Sequence, residues 1–111
     1  MNHIFSQNSK SGKQFDTGDA GRIDLLCIDQ NQNFVVLELK AGEADDKVCS
    51  QLLRYMGWVK KNVARDRDVR GIIVANEFSE KLKYAVMPVP AITLKKYAVS
   101  FQFANVSLEA Q

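Results

Sequence analysis

Asp24, Glu38 and Lys40 have the types and spacing of a hydrolytic metal site in this 111-residue chain. Arg22–Asp29 (RIDLLCID) and Asn33–Lys40 (NFVVLELK) read as strands, joined by a polar Gln30-Asn31-Gln32 connector of hairpin length. A turn centred on Asn31 sets Ile28 opposite Phe34, Leu26 opposite Val36, Asp24 opposite Glu38 and Arg22 opposite Lys40. The period of two puts all eight on one face, apolar near the turn and charged at the far end. Facing side chains of an antiparallel pair have Cβ atoms about 4.5–5.5 Å apart, so two carboxylates there repel. Such a pair persists when a cation lies between them or when one is protonated. Two carboxylates suit Mg²⁺ or Mn²⁺. Lys40 can neutralise a phosphate or orient a water, completing the parts that attack a phosphodiester. The same alternation of acid and base also occurs on solvated strand faces, and a one-residue slip would part the carboxylates.

The elements around this hairpin must position it. A helix is expected from about Asp45 to Ala64, with Asp45 and Asp46 at its start and Lys60, Lys61 and Arg65 at its end. Val48, Leu52, Tyr55, Met56 and Val59 form its buried stripe. Gln51 borders that stripe and shares a face with Tyr55, so its amide can reach the carboxylates or hold a water or phosphate. It also fits a plain boundary position, with Tyr55 in the core and its hydroxyl wet. Val69–Ala75 reads as a buried strand, and Ser79–Met87 as a short helix capped by Ser79 and stopped by Pro88 and Pro90. Ile92–Phe103 reads as one or two closing strands. Ahead of the hairpin, a short strand is expected around Gln14–Thr17 and a turn at Gly18-Asp19-Ala20-Gly21. The order of elements gives an α/β domain with a mixed sheet: a flexible segment over 1–14, the domain over 15–104 and a tail over 105–111.

The composition is ordinary for a globular domain, 46% hydrophobic and 25% charged, which excludes disorder, collagen and low-complexity sequence. No apolar run approaches the ~18–20 residues of a membrane span, and no leader pattern opens the chain, so no membrane role is expected. A formal charge of +2 neither demonstrates nor excludes a nucleic-acid partner. Cys27 and Cys49 read as reduced thiols of a cytosolic protein. A single histidine, His3, without a cysteine pair at metal spacing argues against zinc.

Four segments in order carry a more specific signal: Gly21-Arg22-Ile23-Asp24-Leu25-Leu26, Val35-Val36-Leu37-Glu38-Leu39-Lys40, Gln51 through Val59 (QLLRYMGWV), and Val69 through Ala75 (VRGIIVA). Together, over roughly residues 15–97, they resemble the PD-(D/E)XK nuclease superfamily, and within it the C-terminal nuclease domain of the NucS/EndoMS endonucleases. The resemblance implies a restriction-endonuclease-like mixed sheet flanked by helices and a metal-dependent DNA endonuclease. Asp24, Glu38 and the Leu39 carbonyl would hold Mg²⁺ or Mn²⁺. Lys40 would activate or orient the attacking water, and Gln51 would match the family's catalytic glutamine, with Tyr55 completing a Gln-x3-Tyr pattern. Arg22, Arg54, Tyr55, Lys60 and Lys61 would contact DNA, with Lys95 and Lys96 as further basic candidates. The family also carries a helix with a supporting glutamate ahead of the core strands. Residues 1–15 contain neither Asp nor Glu, so a shortened N-terminus is expected. Sheet or helix left uncovered there leads to the expectation of a homo-oligomer. The alternative function on this fold is a non-catalytic DNA-binding or assembly module.

Overall fold

The computed structural model describes residues 15–18 and 20–108; the segment expected to be flexible over 1–14 lies outside them. The strands are β1 (Phe15–Asp16), β2 (Arg22–Ile23), β3 (Leu25–Ile28), β4 (Phe34–Leu39), β5 (Glu43–Ala44), β6 (Val69–Ala75), β7 (Glu77–Phe78) and β8 (Ile92–Lys96). Helix α1 (Asp46–Val59) lies between β5 and β6, and α2 (Glu80–Val86) between β7 and β8. The central sheet has the order β3-β4-β6-β8. β3 is antiparallel to β4, and β6 and β8 run parallel to their neighbours, so the sheet is mixed.

The hairpin register is the one expected from a turn at Asn31: Leu26 pairs with Val36 and Ile28 with Phe34. The period of two then sorts the side chains. Leu26, Phe34, Val36 and Ile73 face α1 and join the main core with Leu52, Tyr55 and Val59. Cys27, Val35, Leu37 and Ile72 form a second, smaller cluster on the opposite face. Burial on both faces explains why β6 reads as a continuous apolar run, as strands of parallel sheets do.

Helix α1 starts where its acids indicate. Asp45 is the N-cap, and its carboxylate accepts from the Lys47 N–H at 3.0 Å. The α-helical part ends at Val59, and Lys60–Ala64 continues as a single π-type turn. Ser79 caps α2 by accepting from the Leu82 N–H at 3.1 Å. Both cysteines are buried thiols. No helix among the described residues is long and apolar enough to cross a membrane.

Three expectations need correction. Arg22–Asp29 is not one strand, because the chain bends at Asp24 between β2 and β3. The Leu39 N–H, which a continuous ladder would direct to a β2 carbonyl, goes instead to Asp24 Oδ2 at 2.9 Å. In consequence Arg22 pairs with Asp16 of β1, not with Lys40. The closing strand stops at Lys96, and 97–108 has no regular structure. The two-residue parallel pair β5–β7 was not foreseen; it joins the loop before α1 to the segment before α2. Segments this short carry no periodicity to read.

The turn end of the hairpin is locked by one buried acid. Asp29 accepts from the N–H groups of Asn31 at 2.8 Å and Asn33 at 3.0 Å, and from Arg70 Nη1 at 2.5 Å. The Arg70 hydrogen bond, and after it the Asn33 N–H, hold the carboxyl below its ordinary 3.8 despite burial. A depressed carboxylate adds stability above its ordinary value, and that stability is lost as pH falls through the folded-state value. Urea unfolding from neutral to strongly acid pH is therefore expected to show a falling midpoint in the wild type below about pH 4. Asp29→Asn should start lower at neutral pH and change less in acid. Equal acid sensitivity of the two would overturn this role.

Candidate active site

The site lies at the C-terminal end of β4, where Glu38 and Lys40 point to the α1 side of the sheet. Glu38 is 2% exposed, and its Oε1 atom has no hydrogen-bond partner among the described residues. Burial pushes its carboxyl up to about 7, and the Asp24 charge adds to the rise. Lys40, the Asp24 backbone N–H and Arg54 pull it back towards ionisation. Asp24, Lys40 and Arg54 thus all act on one buried carboxylate, with Asp24 itself just outside the β3–β4 ladder, whose last pair is Leu25 with Leu37. The bend at Asp24 strengthens the arrangement. It frees the Asp24 side chain to bind the Leu39 N–H, which ties the first acid to the strand that carries the second.

Gln51 and Tyr55 stand one helical turn apart, and Gln51 Nε2 donates to Tyr55 Oη at 2.7 Å. That hydrogen bond holds the amide on the tyrosine and not on the carboxylates. The Tyr55 hydroxyl also lies against Gly21. A Cβ at Gly21 would sit 3.2 Å from Oη, and the φ of +103° already favours glycine there. Tyr55 is 2% exposed, so its expected role as a DNA contact is corrected: it is a wedge between α1 and the segment leading to Asp24.

The basic residues divide into two groups. Arg54 reaches the site; its Nε donates to the Ala20 carbonyl at 3.1 Å, and its guanidinium lies 5.4 Å from the Tyr55 ring centroid. The spacing of α1 gave no sign of this approach, which depends on how the 20–24 segment crosses the helix. Lys60 is nine residues beyond Gln51, or about 13 Å along a helix. It lines a cleft at the opposite end of the sheet with Asn33 and Phe34, and its amine donates to the Arg67 carbonyl at 2.5 Å. Lys61 lies near Arg54 and Trp58 along a shallow groove on the outer side of α1. Arg22 is exposed on β2. Lys96 pairs with Glu77 at 3.4 Å, on the far side of the sheet order from the hairpin.

The donor set fits a hard divalent cation. Glu38 has an oxygen with no hydrogen-bond partner among the described residues, and Asp24 stands against it; oxygen donors of this kind, with water completing the shell, suit Mg²⁺ and Mn²⁺. Among the described residues no group of three His, Cys, Asp or Glu side chains gathers.

Known proteins share both sequence and fold. The Endonuclease NucS of Pyrococcus abyssi is 41% identical over 63 residues, covering 57% of this chain and 24% of that protein. The enzyme of the same name from Pyrococcus furiosus is 43% identical over 63 residues, 57% of this chain and 23% of its own length. The chain thus spans about a quarter of the curated relatives it matches. The crystal structure of a repair endonuclease from Pyrococcus abyssi superposes with a TM-score of 0.66 at 29% identity, covering 86% of this chain and 37% of that one. A structure of EndoMS in complex with double-stranded DNA superposes at 0.64 with 26% identity, over 84% and 39%. The family described as the Endonuclease NucS C-terminal domain matches residues 13–87, a span that holds β1 through α2 and all of Asp24, Glu38, Lys40 and Gln51; the chain belongs to that family.

Proposed function

We propose that the chain is a metal-dependent DNA endonuclease domain that hydrolyses phosphodiester bonds. The observation that carries this reading is the buried Glu38 carboxylate, one oxygen without a hydrogen-bond partner among the described residues, set against Asp24 and within the field of Lys40. A pure binding surface has no need of two acids held together at a cost in stability.

Asp24, Glu38 and the Leu39 carbonyl would hold Mg²⁺ or Mn²⁺. When bound, the cation supplies positive charge for the phosphate and lowers the pKa of a water. The chain's own residues do the rest. Lys40, two residues after Glu38 on the same face, holds the attacking water or a phosphate oxygen by its ammonium group. The Gln51 NH₂ is held by Tyr55, which leaves its amide carbonyl as the group it would offer to the substrate. Arg54 offers a guanidinium beside the acids for a neighbouring phosphate. DNA as the substrate is supported by the relative solved with double-stranded DNA. The buried thiols of Cys27 and Cys49 support a cytosolic setting.

The test is cleavage of branched, mismatched and single-stranded DNA with Mg²⁺ or Mn²⁺, comparing wild type with Glu38→Ala and Lys40→Ala. Metal-dependent cutting is expected in the wild type, with losses of about a hundredfold or more in both variants. Salt-sensitive DNA binding without cutting would identify the non-catalytic module instead.

A further inference from the structure

Helix α1 carries charge of one sign on its solvent side. From Lys47 to Arg65 the sequence holds five Lys and Arg residues and no Asp or Glu, in a chain with 13 acids. A solvated helix face ordinarily mixes the signs, with acid and base three or four residues apart. The helical period sets Lys47, Arg54 and Gly57 opposite the buried stripe of Val48, Leu52, Tyr55 and Val59. A groove of about 430 Å³ on this outer side is lined by Arg54, Gly57, Trp58, Lys61, Asn62 and Ala20, none of them acidic.

The groove starts at the candidate active site. Arg54, whose charge acts on Glu38, is held by the Ala20 carbonyl at 3.1 Å and by the Tyr55 ring. Its guanidinium is therefore fixed before any anion arrives. Lys61 stands in the π-type turn that continues α1, where Asn62 Nδ2 donates to the Trp58 carbonyl at 2.9 Å. Irregular helical turns of this kind recur at functional sites.

Cations late in a helix have a structural reason in the helix dipole. Gly57 has no such reason inside the molecule. It is exposed in a helix that runs on to Ala64, where only proline is a poorer residue. A Cβ there would meet nothing within 4 Å, so no neighbour excludes a side chain. Its backbone is helical, so no left-handed conformation asks for glycine either. What the missing side chain gives is close approach to the helix from outside.

We propose that a DNA strand runs from the active site along this groove, its sugar–phosphate backbone lying over Gly57 between Arg54 and Lys61. DNA as the occupant rests on the endonuclease reading; the path is read from the groove. Arg54 and Lys61 are seven residues apart in sequence, or about 10 Å along the helix. That spans about three nucleotides at about 3.4 Å each. Arg54 forks onto one phosphate, Lys61 meets another as a point charge, and the bare floor at Gly57 brings the backbone within reach of both.

Trp58 is the single tryptophan of the chain, so its emission reports on the groove. A short mixed-sequence DNA duplex is titrated into the full chain without divalent cation, and Trp58 emission is read beside the anisotropy of the labelled duplex. Trp58 should be quenched with the same midpoint as the anisotropy change. Lys61→Ala should lower the slope of log affinity against log salt by about 0.9, one phosphate contact. Lys83→Ala on α2, an equal loss of charge, should leave that slope unchanged. Gly57→Leu should melt higher than the wild type and bind the duplex several-fold more weakly, a pairing that a merely structural residue would not give. Binding with silent Trp58 emission, Gly57→Leu of wild-type affinity, or a wild type that binds no duplex overturns the path. Weaker binding in Gly57→Leu with an unchanged slope in Lys61→Ala puts the DNA in the cleft on the Leu53 side of Gly57, and overturns it too. Cleavage in Mg²⁺ by a chain whose Trp58 does not respond would overturn the groove alone. A Trp58 response without cleavage would overturn the endonuclease reading alone.

Discussion

Glu38→Gln is expected to make the protein more stable above pH 7 while reducing metal-dependent cleavage about a thousandfold. Glu38 is fully enclosed, and burial together with Asp24 raises its carboxyl from an ordinary 4.5 to about 7. A raised carboxylate contributes its stability below the ordinary value and loses it as pH climbs through the folded-state value. Between pH 4.5 and about 7 the unfolded chain is ionised while the folded chain still carries the proton. Wild-type stability therefore falls across that window and is flat above it, by about 3 kcal/mol in all. Glutamine keeps the volume and removes the charge, and its NH₂ can donate to the Asp24 carboxylate. The variant should show no such fall, so the two stability curves converge near pH 4.5 and separate by pH 7. Mg²⁺ should raise the wild-type midpoint at pH 8 through binding to the folded state only, and leave the variant unmoved. The cleavage loss corresponds to about 4 kcal/mol of transition-state stabilisation, the size of one essential electrostatic group. Urea midpoints at a series of pH values, with and without the cation, check all of this. A variant no more stable than wild type at pH 8 would mean that Glu38 is not a strained buried acid.

Gly71→Ala is expected to cost about 1–3 kcal/mol, far more than the single methyl group suggests. Gly71 is buried in β6 directly under α1. A Cβ there would lie 2.8 Å from both Leu52 Cδ2 and Met56 Sδ, closer than unbonded atoms approach. Leu52 is fully buried, so its displacement presses on neighbouring core side chains and on α1. In a domain of about this size each kcal/mol lowers the melting temperature by roughly 4–8 °C. The movement should reach the site, because Gln51 and Tyr55 flank Leu52 on the same helix. Melting curves of Gly71→Ala, Met56→Ala and the double variant separate the clash from ordinary cavity formation. Removing the Met56 side chain relieves one of the two close contacts, so the double variant should lose less than the two single losses combined. Additive losses would show that the sheet, and not the helix, gives way.

Much of the fold was legible because it rests on local patterns. The Asn31 turn and strand alternation set the hairpin register of Leu25–Ile28 against 34–37. Acids at 45 and 46 and the stripe from Val48 to Val59 located α1, and Ser79 located α2. The ordered segments around Glu38-Leu39-Lys40 and Gln51 carried the family.

What only the tertiary structure decided depends on groups distant in sequence or on steric room. At the bend the Asp24 carboxylate takes the place of a strand carbonyl and accepts from the Leu39 N–H of the opposite strand. The same side chain in an unbroken strand would have the same sequence pattern. Tyr55 lies in the core and not on a DNA surface because Gly21 leaves space for its hydroxyl. Arg54 acts on Glu38 and Lys60 does not because Arg54 lies within α1, whereas Lys60 follows it in the π-type turn, beside the cleft at the N-terminal ends of β4 and β6. The closing strand ends at Lys96, although alternation continues to Phe103, because alternation gives a segment an apolar face without providing a surface to cover it. Periodicity is a property of neighbours along the chain; the depth of Glu38, and with it the raised pKa, belongs to the packing of β4 beneath α1.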